Sequence, residues 1–259
     1  FNRRTEASST STTSSSSSSS TTDLTPTSKL QVPTEDELNS GRYSEYIILI
    51  LSGSFNPPHN NHMRLMKVAK QYIINNEPTK FIIGGYFIVS QDASVRKKLR
   101  NEALSSTIRC QLVQAAIDDD INDLKTWCLV DRYLTCNNCG IAKASQHLQH
   151  VVQQWFYNKL KVYRNNNSKR NIHFNNNNNN NITIKRIPIC GIDSIKLLHR
   201  SFRSGVICIK NRSFIPHYTQ SNKKHNNAND NIIASNEELD ILDYINTQIT
   251  SYNAKIYYI

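Results

Sequence analysis

Tyr46-Ile47-Ile48-Leu49-Ile50-Leu51-Ser52-Gly53-Ser54-Phe55-Asn56-Pro57-Pro58-His59-Asn60-Asn61-His62 decides how the rest of the chain is read. Its first six residues are apolar and mostly Ile and Leu, the pattern of a strand buried on both faces, as in a parallel sheet. Ser52-Gly53 ends that strand. From His62 to Ile74, the apolar residues Met63, Leu65, Met66, Val68, Ala69, Tyr72 and Ile73 recur at helical spacing. Strand, Gly-Ser turn and helix make the first half of a βαβ unit.

The alternation continues outward from this junction. Phe81-Ile82-Ile83 is a second strand, ending in Gly84-Gly85. Residues 105–117 are helical, with Ser105 or Ser106 as the cap. Trp127 to Val130 is a third strand and Ile141 to Leu160 a longer helix. Ile182 to Ile189 and Val206 to Ile209 are the fourth and fifth strands, with a short helix over 195–199 between them, and residues 237–249 form a last helix. Strands alternating with helices predict an α/β fold: a Rossmann-like, doubly wound parallel sheet with helices on both faces. Ligands of such sheets bind beyond the carboxyl ends of the strands, at a switch point. No internal repeat is visible.

The remaining segments are polar. Residues 8–22 are almost entirely Ser and Thr, and Asn175 to Asn181 is an unbroken Asn run. Such stretches bury too little apolar surface to offset their ordering entropy. The expected organisation is a disordered tail over residues 1–42 and one domain over 43–259, with Asn-rich insertions at about 165–181 and 222–231.

The formal net charge of +11 favours anionic partners. No nucleic-acid-binding motif interleaves aromatics with the basic residues, so no specific nucleic-acid partner is expected. Six cysteines at irregular spacing do not make a disulfide framework. There is no signal-peptide pattern at the start and no apolar run of the length that spans a bilayer. A soluble protein of the cytoplasm or nucleus is expected. Cys136-Asn137-Asn138-Cys139 with His147 and His150 has zinc-like content but no common finger spacing, and an ordinary helix and loop is the favoured reading. Asp118-Asp119-Asp120 ends a helix, where the dipole disfavours acids, and reads as a solvated turn.

The chemistry concentrates in the first turn. At Gly53 no Cβ hinders a close backbone approach. Pro57-Pro58 fixes the turn and offers no competing N–H. A helix starts next, and its free amides and dipole attract phosphate. His59 and His62 are three apart, so they share a face of the first helical turn. Two imidazoles there can hydrogen-bond to charge that grows as a phosphorus–oxygen bond breaks. Two histidines at this spacing also permit metal binding, and a Gly-Ser turn is often only a turn; the conjunction favours the phosphate reading.

At these residues the chain resembles the nicotinamide/nicotinate mononucleotide adenylyltransferases, members of the nucleotidyltransferase superfamily with its (H/T)xxH motif. Gly53-Ser54-Phe55-Asn56-Pro57, His62 and Met63-Arg64-Leu65 carry the most specific part. Gly84-Gly85, Asp92-Ala93 and Arg96-Lys97 resemble the family's second block, Trp127 to Tyr133 with Val130-Asp131 its third, Cys190-Gly191-Ile192-Asp193 its Cys-Gly-Ala-Asp block, and Gly205 to Ile209 its next strand. These blocks fall in the family's order over about residues 44–212.

The resemblance implies attack by the 5′-phosphate of nicotinamide or nicotinate mononucleotide on the α-phosphorus of ATP. It gives NAD or its deamido form and releases pyrophosphate, with Mg2+ neutralising the polyphosphate. By position it assigns Gly53, Ser54 and Phe55 to the dinucleotide, His59 and His62 to catalysis at the ATP phosphates, and Arg96 and Lys97 to added positive charge. Gly191 and Asp193 would meet the ribose region, and Trp127 or Tyr133 would stack on the pyridine ring. A homo-oligomer is also implied.

The chain departs from the family in several places. Ile88-Val89-Ser90 replaces Ser-Pro-Val, Tyr133-Leu134 replaces Trp-Glu, and residues 240–247 replace the late Ile-Ser-Ser-Thr-x-x-Arg motif. These departures define the alternative: a nucleotide-binding protein of impaired turnover with disordered interaction tails.

Overall fold

The computed structural model describes residues 24–168, 182–191, 206–209 and 256–258. Six parallel strands, β1 (Glu45–Gly53), β2 (Lys80–Val89), β3 (Cys128–Asp131), β4 (Ile184–Gly191), β5 (Val206–Ile209) and β6 (Ile256–Tyr258), form one sheet in the order β3-β2-β1-β4-β5-β6. The chain leaves β1 toward β2 on one side and reaches β4 on the other, so the switch point lies between β1 and β4. This is the predicted Rossmann-like, doubly wound architecture.

Residues 47–51 of β1 are all apolar and buried because both faces of the strand are covered. Ile47, Leu49 and Leu51 enter one core with Met63, Met66, Ala69 and Ile73 of α2 (Asn60–Asn76), Val113 and Ile117 of α4 (Ser106–Asp119), and Leu124 of the short α5 (Leu124–Trp127). Ile48 and Ile50 enter the opposite core with Leu134 of α6 (Tyr133–Asn137) and Ala144, Leu148, Val152 and Phe156 of α7 (Ile141–Ser168). Gln149 and Gln153 of α7 donate to the carbonyls of Ile184 and Ile182, which pins α7 across the start of β4. Two further helices, α1 (Glu35–Asn39) and α3 (Asp92–Leu99), flank the sheet.

Several elements differ from the sequence expectation. Gly84-Gly85 does not end the second strand, which runs on to Val89. The glycines are where the sheet accepts close neighbours. A Cβ at Gly84 would come within 2.5 Å of Leu30 Cδ2, and one at Gly85 within 2.5 Å of Trp127 Cζ3. Trp127 itself closes α5 rather than opening the strand. The helix expected to stop at Leu160 continues to Ser168, and Ile256–Tyr258 adds an edge strand that was not expected.

The expected tail is also shorter than residues 1–42. Residues 24–42 pack on the domain. Thr25 is fully buried and Leu30 is buried in the core, the Gln31 amide donates to the Ile83 carbonyl at 2.8 Å, and Thr34 and Glu37 close a capping box on α1. The scarce apolar residues Leu24, Leu30 and Val32 carry this segment, too few to stand out among its polar neighbours. The insertion expected over about 165–181 begins inside α7, which runs to Ser168, and residues 169–181, the Asn-rich stretch at 222–231, the expected helices at 195–199 and 237–249 and Asp193 lie outside the described residues.

Candidate functional site

The carboxyl ends of β1 and β4 meet at the switch point. Leu51 pairs with Ile189, and two residues farther along these parallel strands lie Gly53 and Gly191. Gly53 also pairs with Val89 of β2, so the rim runs from β2 through β1 to β4. The turn after Gly53 holds Phe55 at φ +47°, a left-handed conformation rare for a bulky residue. The Phe55 ring folds back over Gly53, where a Cβ would sit 3.1 Å from its Cζ, and Phe55 is 1% exposed. The missing Cβ at Gly53 therefore serves Phe55 packing. The same ring meets Phe87 edge-on at 5.8 Å and His62 at 4.9 Å.

His59 caps α2 and His62 lies on its first turn. Their rings are 3.7 Å apart and tilted by 32°, so the predicted shared face is realised as a close, tilted ring pair. The His59 amide donates to His62 Nδ1 at 3.2 Å. That bond fixes the neutral tautomer with its proton on Nε2. Burial against Phe55, and then the neighbouring His59, push the His62 pKa down to about 4. At neutral pH His62 is an uncharged Nε2–H donor at a helix N-terminus, the end whose free amides and dipole favour an anion.

A buried arginine that sequence reasoning missed braces the turn. Arg109 of α4 is fully buried. It donates to the Ser54 carbonyl at 2.8 Å, to the Leu104 carbonyl at 2.9 Å and to Asp92 Oδ1 at 2.8 Å. Burial alone would raise the Asp92 pKa, but the Arg109 and Ser106 hydrogen bonds outweigh it and hold the carboxyl below its usual range. Asn56 adds two bonds to the same knot, accepting from the Leu104 amide at 2.7 Å and donating to the Glu102 carbonyl at 3.0 Å. The signal was present: Arg109 falls on a helical stretch at a position whose i+4 neighbour, Val113, is core.

The other predicted residues separate into two groups. Arg96 and Lys97 are exposed on α3, directly beyond the carboxyl end of β2, on the same rim as the histidines. Tyr133 opens α6 just past the carboxyl end of β3, half-buried, with its ring stacked on His147 at 3.6 Å and 13°. His147 Nε2 is buried and has no partner among the described residues. Trp127 is not available for stacking on a ligand. It lies at the amino end of β3, ~13 Å from the carboxyl end at strand rise, and is 3% exposed. Its indole N–H donates to Asp123 at 2.8 Å and Lys70 covers its ring at 4.6 Å.

Cys136 lies on α6 and His147 and His150 on α7, and no three His, Cys, Asp or Glu side chains converge on one point among the described residues. Cys110, Cys128, Cys136, Cys139 and Cys190 are free thiols. Asp118 pairs with Lys29, and Asp120 with Lys67. No described helix is long and apolar enough to cross a membrane.

A two-histidine turn at the start of α2, on the rim of a 3-2-1-4-5-6 sheet, agrees with the comparison to known families. The cytidylyltransferase-like family model matches residues 50–200, more than half of the chain. The chain belongs to the cytidylyltransferase-like family. No curated protein matches it closely enough to add a nearer relative. Membership assigns this cytidylyltransferase-like chain to the nucleotidyltransferases and implies nucleotide substrates. The matched span begins in β1 and includes the histidine turn, the Arg109 knot, the Tyr133–His147 stack and Gly191.

Proposed function

We propose that this family member is a mononucleotide adenylyltransferase, joining nicotinamide or nicotinate mononucleotide to the AMP moiety of ATP with release of pyrophosphate. The observation that carries the reading is the close, tilted His59–His62 ring pair at the start of α2, with His62 neutral and its Nε2–H free of any bond among the described residues. The choice of substrate rests on the resemblance of the ordered blocks from Gly53 to Ile209.

In this reading the ATP polyphosphate lies over the α2 N-terminus. The mononucleotide 5′-phosphate oxygen bonds to the α-phosphorus as the bond to the β-phosphate bridging oxygen breaks, and pyrophosphate departs with that electron pair. His62 donates to the oxygens that gain charge, and a neutral donor loses no proton in doing so. His59, more exposed, contacts the same phosphates. Arg96 and Lys97 add positive charge from α3. Gly191 and Asp193 meet the ribose region, and Tyr133 stacks on the pyridine ring.

Catalysis is by positioning and electrostatics, without a covalent intermediate. Mg2+ enters as the ATP complex, since this ion is commonly held by substrate phosphates with few protein carboxylates.

The test is pyrophosphate release from magnesium ATP or magnesium CTP, each with nicotinamide mononucleotide, nicotinate mononucleotide or neither. Release that requires ATP and one of the two mononucleotides is expected. Release with CTP alone as donor would replace this reading with a cytidylyl transfer. A second reading, nucleotide binding without turnover, draws on residues 240–247, where Asp240 and Asp243 occupy the place of the family's late phosphate-gripping motif; ATP binding without pyrophosphate release would favour it.

A further inference from the structure

The segment before α1 makes a set of contacts that the proposed reaction does not use. Residues 24–31 cross the edge of the sheet on the α7 side, and their bonds converge on one turn. The Leu24 carbonyl accepts from the Arg132 amide at 2.8 Å. Thr25 Oγ1 donates to Asp131 Oδ2 at 2.5 Å, with both residues fully buried. Asp131 Oδ1 in turn accepts from the Tyr133 amide at 3.1 Å. Tyr86 donates its hydroxyl to the Pro26 carbonyl at 2.6 Å, and Leu30 fills the notch over Gly84. The segment thus grips the end of β3 through one backbone bond and one buried side-chain bond, and Asp131 passes that grip to the first residue of α6.

We propose that residues 24–30 form a positioning strap, in which Thr25 acts through Asp131 to set the turn that presents Tyr133 to the mononucleotide. This rests on the proposed function for the identity of the ligand, but not for the positioning itself. Thr25 and Asp131 are positioning residues. His147 covers one face of the Tyr133 ring, so the ring is clamped from the α7 side and aimed from the β3 side. The ATP end of the site is held separately, by Arg109 on the Ser54 carbonyl. A loosened strap therefore weakens one substrate and spares the other, whereas general loss of stability weakens both.

The experiment compares Thr25→Val, which keeps the shape and removes the hydroxyl donor, with Thr25→Ser, which restores it, in the full chain. Hydrogen exchange is followed at the Arg132 and Tyr133 amides, and equilibrium binding of nicotinamide mononucleotide and of magnesium ATP is measured by calorimetry. Thr25→Val is expected to speed exchange at both amides and to weaken mononucleotide binding about tenfold while ATP affinity changes less than about twofold, with Thr25→Ser close to wild type. Unchanged exchange in Thr25→Val overturns the positioning role whether or not any ligand binds. Equal weakening of both ligands, or faster exchange with unchanged mononucleotide affinity, overturns the substrate-specific role. Wild-type protein that binds ATP but neither mononucleotide overturns the proposed function and the ligand named here, and the exchange result then still decides whether the strap sets the turn.

Discussion

The His59 backbone amide donates to His62 Nδ1 across 3.2 Å while the two imidazole rings meet at 3.7 Å, tilted by 32°. One residue thus fixes both the tautomer and the orientation of the other. The arrangement gives a neutral donor at the N-terminus of α2, and its consequences can be measured.

His62 is expected to stay neutral through the physiological range. Its folded pKa, about 4, lies below the ordinary 6.5, so the unfolded chain binds more protons between those values and stability falls as pH drops through that window. Histidine NMR titration should show the His62 resonances moving only near pH 4. An inflection near 6.5 would contradict the buried, His59-paired geometry.

Arg109→Lys is expected to destabilise the protein by about 2–3 kcal/mol, because an ammonium cannot satisfy the Ser54 carbonyl, the Leu104 carbonyl and Asp92 from one planar fork. ATP affinity should fall as the turn loosens. Chemical denaturation checks the first and calorimetry the second. A stability unchanged by Arg109→Lys would mean that the knot does not brace the turn.

Burial pushes the Asp131 pKa up to about 6, against the hydrogen bonds from Thr25 and the Tyr133 amide. The folded state therefore binds more protons than the unfolded chain between about 4 and 6, and this group's contribution to stability is lost as pH rises through that range. An Asn at this position can accept from the Tyr133 amide through Oδ1 and donate to Thr25 through Nδ2. Asp131→Asn is expected to gain on the order of 1–2 kcal/mol relative to wild type between pH 4 and pH 7.5. Parallel pH–stability curves for the two proteins would contradict the buried ionisation.

Gly85→Ala would force a methyl to within 2.5 Å of Trp127 Cζ3 and 2.8 Å of Cys128 Sγ. Overpacking of this kind costs about 1–3 kcal/mol. Thermal unfolding with a correspondingly lower Tm checks it, and an unchanged Tm would show that the Trp127 ring yields freely.

The sheet was legible in the sequence because β1, β2 and β5 carry apolar runs that no exposed strand would, and α2 and α7 carry clear helical spacing. The histidine turn was legible from residue types and spacing together. Gly84-Gly85 misled because glycine marks both a strand's end and a strand crossed closely by other side chains, and only the positions of Leu30 and Trp127 separate the two. Trp127 was assigned to the pyridine ring by the resemblance alone, although its place at the start of the strand already put it at the amino end, away from the rim where ligands of such sheets bind. Arg109 looked like an ordinary helical cation, since its three acceptors come from segments near residues 54, 92 and 104 that only the fold brings together. The Thr25–Asp131 bond spans a hundred residues and left no local pattern.

In the proposed reaction the His59–His62 turn carries the transfer of a nucleotidyl group to a mononucleotide. The most direct measurement is NAD formation by the purified protein from magnesium ATP and nicotinamide mononucleotide, beside His62→Ala. Turnover by the wild type is expected, with a fall of about 10²–10³ in kcat for His62→Ala, the usual loss when one preorganised transition-state donor is removed. Turnover that survives His62→Ala undiminished would contradict the claim.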